Sequence, residues 1–228
     1  MNELTPKSWT TDSLASHLEE AIIQHRLAPG AKLGEDEIGE IYGVSRTTVR
    51  AGLQALSHKK LVELKRNRGA YVAQPTVREA REVFEARALL EPRTALTAAG
   101  QVTETDLATL QAHIDAEHAA LDAGDNGQAL YLSGQFHVEI ARIAGQETIA
   151  AFITELVARS SLIIALYWQR RTALCESHAH HALLAALAEG AAAQAEALMR
   201  DHLADLVGSL DLSNKSSQPR SLREALLP

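Results

Sequence analysis

Three histidines, His137, His180 and His202, stand on apolar faces of segments with helical periodicity. His137 is in register with Ile140, Ala141 and Ala144, His180 with Leu183, Leu184 and Leu187, and His202 with Leu198, Met199 and Leu206. Steps of three and four residues put each imidazole on the inward side of its helix. Neutral imidazoles that converge can hold a divalent transition metal such as zinc. Inward histidines also serve as hydrogen-bonded core residues, and the spacing leaves both roles open. His178 and His181 fall on other faces of the same helix as His180 and are expected in solvent. Arg87 shares a face with Val83, Leu90 and Glu91. An inward guanidinium there suits a carboxylate ligand, and an i,i+4 pair with Glu91 is the alternative.

A second group of side chains could read DNA. Residues 44–73 carry seven Lys or Arg against one acid, although the chain has a net charge of −7. Residues 1–75 carry ten basic and nine acidic side chains, and the remainder twelve and twenty. A phosphate backbone responds to the local patch. Ser45 sits where a helix N-cap belongs, and Arg46, Thr47, Thr48 and Arg50 occupy the first turns after it. Arg46 can offer a fork to guanine, the threonines can meet phosphate or a thymine methyl, and Arg50 lies one turn on. Arg66, Arg68 and Gly69 form a basic turn that can follow the backbone or enter the minor groove.

The elements that must carry these groups follow from the pattern. Helices are expected over 11–27, capped by Thr11 or Asp12, over 35–42 with Ile38 and Ile41 inward, and over 46–57 with Val49, Leu53 and Leu56 buried. Gly43 breaks the last two apart. LVEL and AYVA are expected as strands around the RNRG turn. After residue 75 the chain is Ala- and Leu-rich, and helices are expected over 78–99, 104–123, 126–144, 147–168, 174–189 and 191–210. The fold class is mainly α: a winged helix-turn-helix followed by an all-helical bundle. The expected domains are 10–75, 78–212 and a tail, 213–228, in which SLREALL could form a helical turn. Apolar residues make up 46% of the chain, with one cysteine. No uninterrupted apolar run approaches the roughly 18 residues of a membrane span, and MNELTPKSWTTDSL lacks a secretory pattern. The expectation is a cytoplasmic protein with no membrane partner.

The stretch LAPGAKLGEDEIGEIYGVSRTTVRAGLQALSHKKLVELKRNRGAYVA resembles the winged-helix domain of GntR-type bacterial transcription regulators. FEARALLEP, FHVEIARIAG and HHALLAALAEGAAAQAEALMRDHL resemble the FCD effector domain of the FadR branch. The resemblance implies operator contacts by residues matching Arg46, Thr47, Thr48 and Arg50, with the position of Gly69 near the minor groove. Some members place an arginine where this chain has Asp36, and that phosphate contact is not carried over. Thr48 replaces the usual proline, and Gly52 stands where alanine is common. For the bundle, the resemblance implies a metal held by an Asp, a His one turn later, and two histidines 22 residues apart. His137, His180 and His202 match the histidines. Ser133 replaces the Asp, which leaves positions that water or an effector carboxylate could fill. Arg87 resembles the pocket arginine.

The function implied is a homodimeric, ligand-responsive regulator of a near-palindromic double-stranded DNA operator, released by a small organic acid. An alternative is a regulator for which the metal ion is the signal. A zinc hydrolase is the remote alternative. It lacks HExxH, and Glu176, one turn before His180, is the adjacent acid.

Overall fold

The computed structural model describes residues 9–169 and 174–213, without the side chains of residues 174–177. The expected tail beyond Ser213, the SLREALL turn, the break at Arg170–Thr172 and the Glu176 side chain lie outside the described residues. Helix α1 spans Thr11–Ile23, β1 Lys32–Leu33, α2 Glu35–Tyr42 and α3 Arg46–His58. Strands β2 (Val62–Lys65) and β3 (Gly69–Val72) follow. The bundle comprises α4 Val77–Ala99, α5 Glu104–Asp122, α6 Asn126–Ile143, α7 Glu147–Tyr167, α8 Leu174–Ala188 and α9 Ala192–Gly208.

The N-terminal elements form a winged helix. Gly43 ends α2 in the left-handed conformation at φ 64°, where a side chain would be strained. Ser45 then caps α3, its hydroxyl accepting from the Thr48 amide at 3.2 Å. Val49, Leu53 and Leu56 bury one stripe of α3, as their spacing requires. The sheet is antiparallel in the order β1-β3-β2, with Lys32 opposite Tyr71 and Lys65 opposite Gly69. The wing tip, Arg66 to Gly69, is exposed.

Three sequence expectations change, and one short strand was not foreseen. The N-cap of α1 is Thr10, locked with Ser13 in a capping box, so Thr11 and Asp12 are already helical. That helix stops at Ile23 rather than 27, because His25 turns left-handed at φ 58°. Ile41 is 69% exposed. Tyr42, a full turn from Ile38, takes the inward place and packs on Trp9 and His17. Strand β1 is two residues long, too short to show the alternation by which strands are read.

In the bundle, Thr76 and Thr103 cap α4 and α5 through capping boxes with Glu79 and Asp106. Helix α7 is, by length and composition, apolar enough to cross a membrane, although no uninterrupted run in it suggested so. Its Ile153, Val157, Leu162 and Ile163 are buried within the fold, and Glu155 and Arg159 interrupt it. The winged helix shares a core with the bundle, since Ala158 and Leu162 of α7 lie in one cluster with Leu14, Leu18, Ile22 and Leu53.

Candidate effector and DNA-reading sites

The three histidines come from α6, α8 and α9 and converge. Their potential ligand atoms all lie within 4.8 Å of one another, and all three side chains are buried. The rings of His137 and His202 stack with Nε2 atoms 3.2 Å apart. The His180 ring stands across them, 4.9 Å from that of His202.

Each of two rings is anchored from behind. His137 Nδ1 lies 2.7 Å from Glu91 Oε2, and His180 Nδ1 lies 2.9 Å from Glu117 Oε2. Glu91 also takes Arg87 as a fork: Nε donates to Oε1 at 2.5 Å and Nη2 to Oε2 at 3.3 Å. The chain Arg87–Glu91–His137 is buried throughout. Burial alone would raise the Glu91 pKa, but Arg87 and His137 outweigh it and bring the group from its ordinary 4.5 to about 2. Glu91 is therefore a carboxylate, so its hydrogen bond fixes the proton of neutral His137 on Nδ1 and turns the Nε2 lone pair inward. Burial pushes the pKa of His137 down against the pull of Glu91, and that of His202 well down, aided by the neighbouring rings. Neutral rings are the metal-binding form.

The donors fit an ion. His180 Nε2 is buried and has no hydrogen-bond partner within the protein, a costly state that a cation or an ordered water at the lone pair would relieve. The 3.2 Å gap between His137 and His202 matches the roughly 3.3 Å edge of a tetrahedron with zinc–nitrogen bonds near 2.0–2.1 Å. Ser133 lies one turn before His137, is buried and lines the same cavity. That cavity has a volume of about 30 Å³, room for two or three waters at roughly 10–15 Å³ each.

Sequence reasoning placed the histidines and gave Glu91 only as a partner for Arg87. It missed Glu117, although an acid in register with buried Leu110 and Ile114 is the signal that finds it. His178 and His181 are exposed, as expected.

On α3, Ser45, Arg46, Thr47 and Arg50 are exposed and Thr48 is partly so. Ser45 and Thr48 hydroxyls bond each other at 2.9 Å, which fixes the start of the helix. Both arginines are held by the acidic first turn of α2. Arg46 Nε meets Asp36 at 2.6 Å, and Arg50 Nε meets Glu35 at 2.7 Å.

A helix with a basic first turn and a basic wing, ahead of a helical bundle with an internal histidine-lined cavity, is the architecture of winged-helix transcription regulators. The chain belongs to the GntR family of bacterial regulatory proteins, in the branch with an FCD domain: residues 10–72 match the first family and residues 82–205 the FCD domain. It is similar to the HTH-type transcriptional repressor RspR of Escherichia coli (25% identity over 142 residues), spanning 62% of each chain. It is also similar to the Uxu operon regulator of Haemophilus influenzae, at 29% identity over 82% of this chain and 76% of that one. A crystal structure of a putative GntR regulator from Rhodococcus sp. RHA1 superposes with a TM-score of 0.77 at 26% identity, covering 87% of this chain and 95% of that one.

Proposed function

We propose that this regulator works as a homodimer on a near-palindromic operator and is a repressor released by a small organic acid bound inside the bundle. Each subunit reads one half-site, with Arg46, Thr47, Thr48 and Arg50 in the major groove and Arg66, Arg68 and Gly69 along the backbone or minor groove. Ser45 orients the helix start. His137, His180 and His202 hold zinc or a similar ion, which supplies a Lewis-acidic centre for a carboxylate. Ser133, in place of a charged ligand, would leave the ion open to it, and Arg87, although forked onto Glu91, lines the same cavity. The observation that carries the reading is the convergence of three buried imidazoles, two of which, His137 and His202, line one cavity with Arg87. This is a cytoplasmic regulator and not an enzyme.

A second reading rests on the size of the cavity. About 30 Å³ suffices for an ion with a water, and the metal itself could be the signal. One experiment separates the two. The full chain selects duplexes from a random-sequence pool, and the enriched duplex is titrated with and without Zn²⁺ and a panel of metabolite carboxylates. The acid reading expects release of the zinc-loaded protein by one of the carboxylates, and the metal reading expects affinity to follow free Zn²⁺ alone. Absence of bound zinc by elemental analysis sinks both.

A further inference from the structure

The cavity beside His137 and His202 is not closed by the bundle alone. Its floor is Arg87, Ser133, His137 and His202, but one wall is Ile23, the last residue of α1 in the DNA-binding domain. On the far side of Ile23 and Val157 lies a groove of about 280 Å³ between the two domains. The same two side chains separate the inner cavity from the groove.

Just past that wall the chain is latched. His25 is left-handed at φ 58°, a conformation that is uncommon outside glycine. Its Nε2 lies 2.9 Å from both the carbonyl and the hydroxyl of Ser161. A carbonyl only accepts, so Nε2 carries the proton and donates. The Ser161 hydroxyl in turn donates to the Ile23 carbonyl at 2.6 Å. Gln24 donates to Gln128 at 2.6 Å. Gly127 lets the backbones touch, since a Cβ there would collide with the Gln24 carbonyl. The end of α1 is therefore tied to α6 and α7 beside the cavity, while its other end packs on the recognition helix through Leu14 and Gly52.

We propose that the effector compartment is built by both domains: Ile23 of the DNA-binding domain is its movable wall, and the His25–Ser161 contact is the latch that holds the wall shut. This rests on the reading of the cavity as the effector site. An organic acid is larger than about 30 Å³, so something must yield. The floor is cross-braced by the Arg87–Glu91–His137 chain, whereas Ile23 is held by a short latch. Displacing it shifts α1 and, with α1, the helix that reads DNA. The coupling needs no relay through the bundle.

The test needs no effector. Ser160 is buried and lines the cavity from the bundle side. In the full chain, Ser160→Met fills the space as an occupant would. Amide exchange over residues 20–27 is expected to quicken severalfold, and affinity for the enriched duplex to change severalfold. His25→Asn, which keeps a residue tolerant of positive φ and removes the reach to Ser161, opens the latch without touching the cavity and is expected to do the same at unchanged zinc content. Exchange over 20–27 that stays at the wild-type rate in either folded variant overturns the proposal. Faster exchange with unchanged DNA affinity overturns the transmission to the recognition helix. If Ser160→Met fails to fold, His25→Asn alone decides. Loss of zinc in the wild type would instead strike the metal reading and leave this result standing.

Discussion

Arg46 Nε lies 2.6 Å from Asp36 Oδ1, so the side chain proposed to read a base is tethered to an acid at the start of the preceding helix. Both side chains are well exposed, 71% and 65%, and such a pair contributes at most about 1 kcal/mol to folding. In the proposed complex its effect falls on DNA: the carboxylate would oppose phosphate and restrain the guanidinium at the start of α3. Asp36→Ala is therefore expected to raise affinity for mixed-sequence duplex severalfold while raising that for the enriched duplex less. Titrations of both duplexes at matched salt check this, and an unchanged ratio would refute the role.

Ser133→Asp restores a charged oxygen one turn before His137. It is expected to tighten zinc binding by about tenfold or more, the scale on which even outer partners of a metal act. Competition against a chromophoric chelator measures it. Equal zinc affinity in the two proteins would place Ser133 away from the ion.

Glu91 carries a pH signature. Its pKa is lowered on folding, so its contribution is complete above its ordinary 4.5 and is lost as pH falls toward about 2. The shift corresponds to stability on the order of 3 kcal/mol. Urea midpoints of the wild type should fall through that window, and Glu91→Gln should flatten this part of the curve. Near neutral pH the variant should also be less stable by about 3 kcal/mol, because Arg87 stays buried without its counter-ion. Parallel curves for the two proteins would contradict this account.

Gly52 is buried in α3, yet a Cβ there would meet Leu14 and the Thr11 carbonyl at 3.6 and 3.7 Å, ordinary contact distances. Gly52→Ala should therefore recover helix propensity at little packing cost, about 1 kcal/mol, read as a higher melting temperature. A lower one would mean that α1 and α3 cannot accept the methyl group.

The helices were legible because periodicity and caps agree: Ser45, Gly43 and the apolar stripe of α3 each point to the same element. The inward facing of His137, His180 and His202 was legible for the same reason. Their convergence was not, since spacing along one helix carries no information about which neighbours it meets. Glu117 was hidden by its charge, which is ordinarily a mark of the surface, and Glu91 was legible as a partner of Arg87 but not of His137. The end of α1 was missed because its cause, Ser161, lies 136 residues from His25. Asp36 was read only as a repulsion of phosphate, and the attraction it has for Arg46 requires the fold.

The shared core has a consequence for recombination. Because Ala158 and Leu162 sit among Leu14, Leu18 and Leu53, the reading head is not an interchangeable cassette. A head grafted from another family member would bring an α1 shaped for a different α7, and the chimera would inherit both a void under the head and a broken line of communication. Retargeting this regulator to a new operator is thus better done by changing the exposed face of α3 than by exchanging the domain that carries it.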